Sequence, residues 1–275
     1  MTRKSGALMV IGGHEDKHGD KVILREFARR AGEHGKIVVS TVASSEPERY
    51  WQEYERVFRG LGVHHVYHLD VRDREEARSE KKVRILDDAT AIFFTGGDQL
   101  KITSRLGDSP IYRRMCQLYQ EEGGTIAGTS AGASMMCETM LVRGEAASSA
   151  RLGAALVMAP GLGFVRNAII DQHFAQRGRI GRLLGAVAHN PRVLGIGIDE
   201  NTCAVLEGGQ FTVLGENAVY VVDGSSASYT NIAELQEDHA LAIFDVRLNV
   251  LSSGDRFELE DRRAIGSPEL ELAAR

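Results

Sequence analysis

A serine lies between two glycines at the end of a short apolar run. The segment Gly128-Thr129-Ser130-Ala131-Gly132 follows residues 125–127 and precedes residues 133–141, which are compatible with a helix. This pattern is typical of a nucleophile elbow, a strand-to-helix turn so tight that small residues must flank the exposed serine. Backbone N–H groups that open the helix would face a developing oxyanion. The motif predicts a serine hydrolase with Ser130 as nucleophile, and a glycine-rich turn around a buried serine is the alternative.

A serine hydroxyl needs a base to act as a nucleophile near neutral pH, and the chain has nine histidines. His173 stands out because it follows the apolar run 168–170 within a segment rich in charged and amide side chains. A third group should orient the imidazole and stabilise its cation. Glu200 ends a later apolar run and is the candidate, while Asp199 is its rival because neighbouring strand residues face opposite ways. The alternative for the His173 segment is a solvated loop.

Two other histidine groups raise the question of a metal site. His64, His65 and His68 lie in or beside a strand-like run without a matching acidic cluster, which favours surface or half-buried side chains. His14 and His18 flank an acidic pair in a loop, where a structural turn is the favoured interpretation. A metal hydrolase built on the first group is an alternative that predicts sensitivity to chelators.

The composition excludes several classes of protein. The formal net charge of −5 argues against a nucleic-acid binder, and no apolar run is long enough to span a bilayer. Three scattered cysteines, Cys116, Cys137 and Cys203, are too few for a disulfide framework or a zinc site. We therefore predict a cytoplasmic protein with structural thiols and with neither a nucleic-acid nor a membrane partner.

Apolar runs alternate with amphipathic segments through the first half of the chain. Strands interleaved with helices of this size predict a mostly parallel sheet that is covered on both faces. Ligands gather at the carboxyl ends of such strands, and residues 95–99 and 128–132 both fall there. The predicted strands cover residues 8–11, 37–42, 63–69, 91–94 and 125–127, and the predicted helices cover 21–32, 47–61, 111–122 and 180–188.

The second half has shorter runs separated by turn signals, which predict antiparallel strands at residues 202–206, 210–214, 218–223 and 241–246. No linker rich in proline or serine intervenes. We therefore predict that these strands extend the same sheet within a single α/β domain, residues 1–275. Its last stretch, residues 258–275, is predicted to be a polar and partly frayed tail.

The order serine, histidine, glutamate excludes the α/β-hydrolases, whose acid lies between serine and histidine, and the chymotrypsin and subtilisin types, whose serine comes last. Taken together, five blocks resemble the serine peptidase family that contains the cyanophycinases and the aspartyl dipeptidases. That resemblance implies a flavodoxin-like sheet related to the class I glutamine amidotransferases. It runs from about residue 8 to about residue 246. The blocks are residues 12–17, 94–99, 128–134, 171–174 with Arg177, Arg179 and Arg182, and 197–202.

The resemblance implies that Ser130 is the nucleophile, His173 the base and Glu200 its orienting acid. It also implies an oxyanion hole made by the backbone N–H groups of Gly97 and Ala131. The family needs no metal or organic cofactor, and a homodimer is expected. A glutaminase is disfavoured because no cysteine occupies the elbow, and a non-catalytic relative would have lost a member of the triad.

The substrate that the resemblance implies is cyanophycin, a poly-aspartate with arginine on each side-chain carboxyl, cleaved to β-aspartyl-arginine dipeptides. Each unit carries a carboxylate, which suits the fork of an arginine, and a guanidinium, which suits acidic or amide groups. A dipeptidase for α- or β-aspartyl dipeptides is the alternative, although the long region after Glu200 favours the polymer. The implied substrate contacts are Gln99, Asp171, Gln172, Arg179 and Arg182, whereas Arg177 is equally well explained as part of a solvated helix face.

Overall fold

A nine-stranded sheet forms the centre of the structure, a computed structural model that describes residues 5–143, 156–234 and 240–267. Five parallel strands make up one half of this sheet. Their side chains alternate between its two faces, so that Phe93 packs on one side and Phe94 on the other. The five strands are β1 (Leu8–Ile11), β2 (Lys36–Ser40), β3 (His65–Leu69), β4 (Ala91–Phe94) and β5 (Thr125–Thr129), in the spatial order β3-β2-β4-β5-β1.

Helices cover both faces of the parallel half, as predicted. The first two pack their apolar stripes on the Phe93 side, where the rings of Phe27 and Phe58 lie 5.4 and 5.6 Å from that of Phe93. The helices are α1 (Val22–Ala31), α2 (Pro47–Gly60), α3 (Glu80–Val83), α4 (Gln99–Leu106), α5 (Pro110–Gln120), α6 (Ala131–Ser134) and α7 (Ile180–His189), with 3₁₀ turns at Glu76–Arg78, Arg84–Leu86 and Ala175–Arg177.

Antiparallel strands extend the large sheet beyond β1, which confirms the predicted fold class. The neighbour of β1 is Thr202–Glu207, and the sheet continues through three more strands to its edge. The remaining strands are β6 (Thr139–Arg143), β7 (Val157–Pro160), β8 (Ala168–Gln172), β9 (Leu194–Ile198), β10 (Thr202–Glu207), β11 (Gln210–Gly215), β12 (Val219–Asp223), β13 (Tyr229–Thr230), β14 (Ile243–Phe244), β15 (Arg247–Leu251), β16 (Arg256–Glu258) and β17 (Arg263–Ile265).

A second sheet has the order β15-β12-β9-β8. Strands β8 and β9 are parallel and are joined through α7, so their carboxyl ends lie at the same edge. The prediction that strand 218–223 extends the large sheet is wrong, because β12 pairs with β9 and β15 instead. Its valines Val219, Val221 and Val222 are buried, which suits a strand between two others.

Two further boundaries differ from the sequence prediction. The helix that follows Ser130 ends at Ser134, whereas the sequence is compatible with a helix through residue 141. Helix α6 packs in a core cluster that both sheets share, and the chain then enters the strand pair β6–β7. Strands β16 and β17 form a hairpin that includes the start of the predicted tail, whereas residues 268–275 lie outside the described residues. The single-domain organisation stays a prediction, and one cooperative unfolding transition is its test.

No helix in the described part of the chain is long and apolar enough to cross a membrane.

Candidate active site

The elbow holds Ser130 in a backbone conformation that few residues adopt. Its φ of 54° and ψ of −109° place it at the turn between β5 and α6. A Cβ atom at Gly128 would lie 2.1 Å from the carbonyl oxygen of Gly132, and one at Gly132 would lie 2.7 Å from that of Phe94. Both glycines are therefore needed for the close approach of β4, β5 and α6.

A hydrogen-bonded chain connects the three residues that the sequence selects. Ser130 Oγ lies 2.9 Å from His173 Nε2, and His173 Nδ1 lies 2.6 Å from Glu200 Oε1. His173 directly follows β8, and Glu200 lies in the connection between β9 and β10. The rival acid, Asp199, points elsewhere because its carboxylate accepts the backbone N–H groups of Ala175 at 2.8 Å and Ala218 at 3.3 Å.

The loop after β1 fixes His173 relative to Ser130. The carbonyl of Gly12 accepts the backbone N–H of His173 at 2.8 Å, and that of Gly13 accepts the N–H of Asn201 at 2.8 Å. A Cβ at Gly13 would lie 2.3 Å from His173 Cε1, and Gly13 has a φ of +105°. Only glycine therefore lets the imidazole pack directly on this backbone.

A second histidine contacts the acid of this chain. His14 Nδ1 lies 3.0 Å from Glu200 Oε2, and its ring meets that of His173 edge-on at a centroid distance of 5.1 Å. The sequence interpretation of His14 as part of a structural turn missed this contact. Its position directly after Gly12-Gly13 at the carboxyl end of β1 is the signal that could have found it.

The metal-site alternative is not supported by the arrangement of its histidines. Among the residues that the structure describes, His64, His65 and His68 do not form a group with metal-ligand spacing. Instead, His68 Nε2 forms a hydrogen bond with the hydroxyl of Thr41 at 2.8 Å, and the His68 ring stacks on Trp51. The described residues whose ligand atoms do come within 4.8 Å of one another are His14, His173 and Glu200.

The surroundings favour a neutral base beside an ionised acid. Burial lowers the pKa of His173 and outweighs the opposing effect of the hydrogen bond that its Nδ1 donates to Glu200, and the positive charge of Arg177 lowers this pKa further. Burial favours the neutral form of Glu200, but hydrogen bonds from His173 and His14 overcome it and lower the pKa of Glu200. A carboxylate beside Nδ1 favours a proton on that nitrogen, which leaves Nε2 to accept the hydroxyl proton of Ser130.

Gly97 and Ala131 are the residues whose N–H groups are predicted to form an oxyanion hole, and this role stays a prediction. Ala131 is the first residue of α6, and Gly97 follows β4 with a φ of +145°. A Cβ at Gly97 would lie 2.2 Å from the carbonyl oxygen of Ala43, so a side chain is excluded there. Within the described ranges, neither N–H group donates to a backbone carbonyl.

Beside Ser130 and His173 lies a cleft of about 430 Å³ with a strongly basic wall. Gln99 reaches it while its Nε2 donates to the carbonyl of Leu141 at 3.0 Å. Arg177 is exposed at the rim, and its backbone N–H donates to the carbonyl of His173. The predicted site residues that line this cleft are Gly97, Gln99, Ser130, Gln172, His173, Arg177, Arg179 and Arg182.

Asp171 is predicted to contact the substrate directly, but the structure places it behind the cleft wall. It is buried and does not line the cleft. Its carboxylate accepts Arg182 Nε at 2.5 Å, a second hydrogen bond from Arg182 Nη2, and Arg179 Nη1 at 3.1 Å. The pairing compensates a buried carboxylate and holds both guanidinium groups at the cleft wall. This makes Asp171 a positioning group for the arginines.

A buried carboxylate that the sequence did not single out braces the elbow. Glu15 Oε2 accepts Thr129 Oγ1 at 2.5 Å, and its other oxygen accepts the hydroxyl of Tyr54. Lys17 Nζ lies 3.4 Å from the same carboxylate. Because Thr129 directly precedes Ser130, these contacts tie the loop after β1 to the nucleophile turn.

Comparison with known proteins gives this fold and site a context. Residues 8–214 match Peptidase family S51. Two similar relatives are both named cyanophycinase. The one from Nostoc sp. is 40% identical, and the alignment covers 94% of this chain and 87% of the relative. The one from Geminocystis herdmanii is 39% identical, and the alignment covers 91% of this chain and 93% of the relative. A solved peptidase from an acI-B1 actinobacterium has a TM-score of 0.68 at 21% identity, covering 94% of this chain and 98% of that chain, which shows the fold alone. The resemblance inferred from the sequence blocks is thus confirmed.

The lowered pKa of His173 predicts how the reactivity of Ser130 depends on pH. A neutral His173 is needed, so the rate of labelling by a fluorophosphonate should fall with decreasing pH, with a midpoint below the usual histidine value of about 6.5. Glu200→Gln removes an interaction that raises this pKa, so the midpoint should move lower still, and the plateau rate should fall by about 10²- to 10⁴-fold. Glu216→Gln, an exposed carboxylate nearby, is the matched control. An unchanged profile in Glu200→Gln would contradict the assigned contact.

Gly13→Ala tests the contact between the loop after β1 and the base. The added Cβ would displace the imidazole, and a misplacement of about 1 Å costs about 100-fold in rate, so labelling of Ser130 should slow by at least this factor. Gly209→Ala is the control, because Gly209 has a φ of +83° and no atom within 4 Å of the added Cβ. The two variants share the backbone strain, so equal labelling rates would show that the imidazole does not depend on Gly13.

Proposed function

Because this chain belongs to peptidase family S51, we propose that it is a serine exopeptidase that hydrolyses cyanophycin, with Ser130, His173 and Glu200 as its catalytic triad. The observation that carries this proposal is the continuous hydrogen-bonded chain from Ser130 through His173 to Glu200 beside a cleft lined by arginines. Relatives named cyanophycinase that align over nearly the whole chain support the substrate.

In the first half of the reaction, Ser130 Oγ attacks the carbonyl carbon of a backbone peptide bond between two aspartates. His173 Nε2 takes the hydroxyl proton as the new C–O bond forms, and Glu200 stabilises the resulting imidazolium. The carbonyl oxygen becomes an oxyanion that accepts the N–H groups of Gly97 and Ala131. When the C–N bond breaks, His173 gives its proton to the leaving amine, and the acyl group remains as an ester on Ser130.

In the second half, water replaces the amine. His173 Nε2 removes a proton from the water molecule as its oxygen attacks the ester carbonyl, and the same N–H groups stabilise the second oxyanion. Collapse breaks the bond to Ser130 Oγ, which regains its proton from His173. The products are a β-aspartyl-arginine dipeptide and a shortened polymer.

The basic wall of the cleft suits the carboxylates of such a unit. Arg179 and Arg182 lie side by side on α7 and the preceding turn, held by the buried Asp171. Asp171 offsets only one of the two guanidinium charges, so this wall keeps a net positive charge and favours an acidic substrate. Gln99 and Gln172 add amide groups for the substrate guanidinium and backbone. Arg177, at the exposed rim, is proposed to contact the same unit.

Product analysis with a serine variant tests this function. The wild type should release β-aspartyl-arginine from insoluble cyanophycin, faster than it cleaves α- or β-aspartyl dipeptides, and should do so in the presence of EDTA. Ser130→Ala should lower turnover by about 10³- to 10⁶-fold, since it removes the nucleophile. Ser104→Ala, an exposed serine on α4, should leave turnover unchanged. Preferential cleavage of dipeptides would favour the aspartyl dipeptidase, and inactivation by EDTA would favour the metal hydrolase.

We also propose a homodimer that uses the edge of the second sheet. Strand β15 is that edge, and its alternate residues Leu248 and Val250 are 53% and 58% exposed, which is unusual for aliphatic side chains. Sedimentation velocity should show a dimer for the wild type and a monomer for Leu248→Glu/Val250→Glu. A monomeric wild type would contradict this proposal and leave the triad unaffected.

A cytoplasmic location is the remaining proposal. Its support is that Cys116, Cys137 and Cys203 are free thiols, two of them buried, as is usual in a reducing compartment. Fractionation of the source cells is the measurement, and recovery in an extracytoplasmic fraction would contradict it.

A further inference from the structure

A second cleft continues from the active-site cleft along helices α1 and α2. It has a volume of about 410 Å³, and Lys17 lines both clefts. A third depression, of about 380 Å³, shares Arg25 and Leu61 with the second. Helix α1 follows β1 and helix α2 follows β2 in the chain, and the shared lining residues place the three depressions next to one another. We call the second and third depressions together the α1–α2 trough.

Positive charge dominates the part of the trough nearest the active site. Lys21, Arg25 and Arg56 line it, and Glu53 is the one carboxylate among its lining residues. In the described part of the chain, none of these three cations forms an ion pair. The Lys21 amine donates to the carbonyls of His18 and Gly19, and the Arg25 guanidinium donates to that of Asp20. The carboxylate of Asp16 also interacts electrostatically with Lys21, but the cations that line this part of the trough outnumber its one lining carboxylate, which favours a ligand with carboxylates.

We infer that the α1–α2 trough binds the part of the polymer that has not yet been cleaved. The groups that it binds are the carboxylates of the arginines attached to the poly-aspartate backbone. This inference rests on the proposed function. An exopeptidase must accommodate the rest of its substrate while the terminal unit occupies the catalytic cleft. Each cyanophycin unit presents one carboxylate and one guanidinium, which match the excess of cations and the two carboxylates, Glu53 and Glu33, that line the trough. Lys17, which lines both clefts, marks the passage between the catalytic cleft and the trough.

The dimensions set how many units the trough can hold. Helix α1 has 10 residues, which correspond to a length of about 15 Å at 1.5 Å per residue. An extended backbone advances about 3.3 to 3.6 Å per residue, so about four backbone aspartates fit along this length. Affinity should therefore rise over the first few units beyond the one that is cleaved and then reach a plateau.

Charge reversal in the trough tests the inference. In Arg25→Glu/Arg56→Glu, the KM for a soluble oligomer of six β-aspartyl-arginine units should rise about tenfold, equivalent to about 1.4 kcal/mol of binding free energy. The KM for a two-unit oligomer should change less than twofold, and kcat should be unchanged for both. Added salt should reduce the difference between wild type and variant, because exposed charges are screened. Arg113→Glu on α5, which packs on the opposite face of the sheet, is the matched control.

The outcomes separate this inference from the proposed function. Two results with a wild type that cleaves both oligomers would show that the trough does not bind polymer. In one, the double reversal raises the KM for both oligomers by the same factor. In the other, it raises these KM values no more than Arg113→Glu does. If the wild type cleaves neither oligomer, the proposed function itself is contradicted and the inference falls with it. Arg25→Gln/Arg56→Gln provides the same comparison at half the charge change should the double reversal fail to fold.

Discussion

Two hydrogen bonds that the carbonyls of Gly12 and Gly13 accept hold the candidate active site together. The proposed nucleophile belongs to the large sheet, whereas the proposed base follows a strand of the second sheet. The Gly12 carbonyl accepts the N–H of His173, and the Gly13 carbonyl accepts that of Asn201, next to Glu200. A side chain at Gly13 would overlap the imidazole. Because Gly13 has no Cβ, His173, at the end of the second sheet, can come within hydrogen-bonding distance of Ser130.

Buried charges around this junction are compensated, and the way they are compensated sets their chemistry. Glu200 lies between two imidazoles, so its negative charge is stabilised while burial keeps His173 neutral and able to accept a proton. Asp171 is compensated by two guanidinium groups, which it fixes at the wall of the cleft. Removing Asp171 would leave two buried guanidinium cations without the carboxylate that pairs with both, a costly arrangement in a low-dielectric site. The same contacts therefore order the site and set its polarity.

Sequence reasoning located the parallel strands and the residues of the hydrogen-bonded chain, because buried strands read as apolar runs and the polar residues after them gather at one edge. It did not separate the two sheets, since an apolar run such as Val219–Asp223 does not specify its partner strand. It also missed His14 and Glu15. Their partners are remote in the chain, Glu200 for His14 and Thr129 for Glu15, and loop residues carry no periodicity that would reveal such pairings.

The connection between β1 and α1 carries successive functions within a few residues. Gly12 and Gly13 position the base, His14 contacts the acid, and Glu15 braces the turn of the nucleophile. Lys17 follows, at the boundary between the catalytic cleft and the α1–α2 trough, with its amine beside Glu15. A carboxylate that approaches Lys17 therefore competes with Glu15 for its charge. If polymer occupies the trough as inferred, this competition would reach the carboxylate that accepts the Thr129 hydroxyl, directly before Ser130.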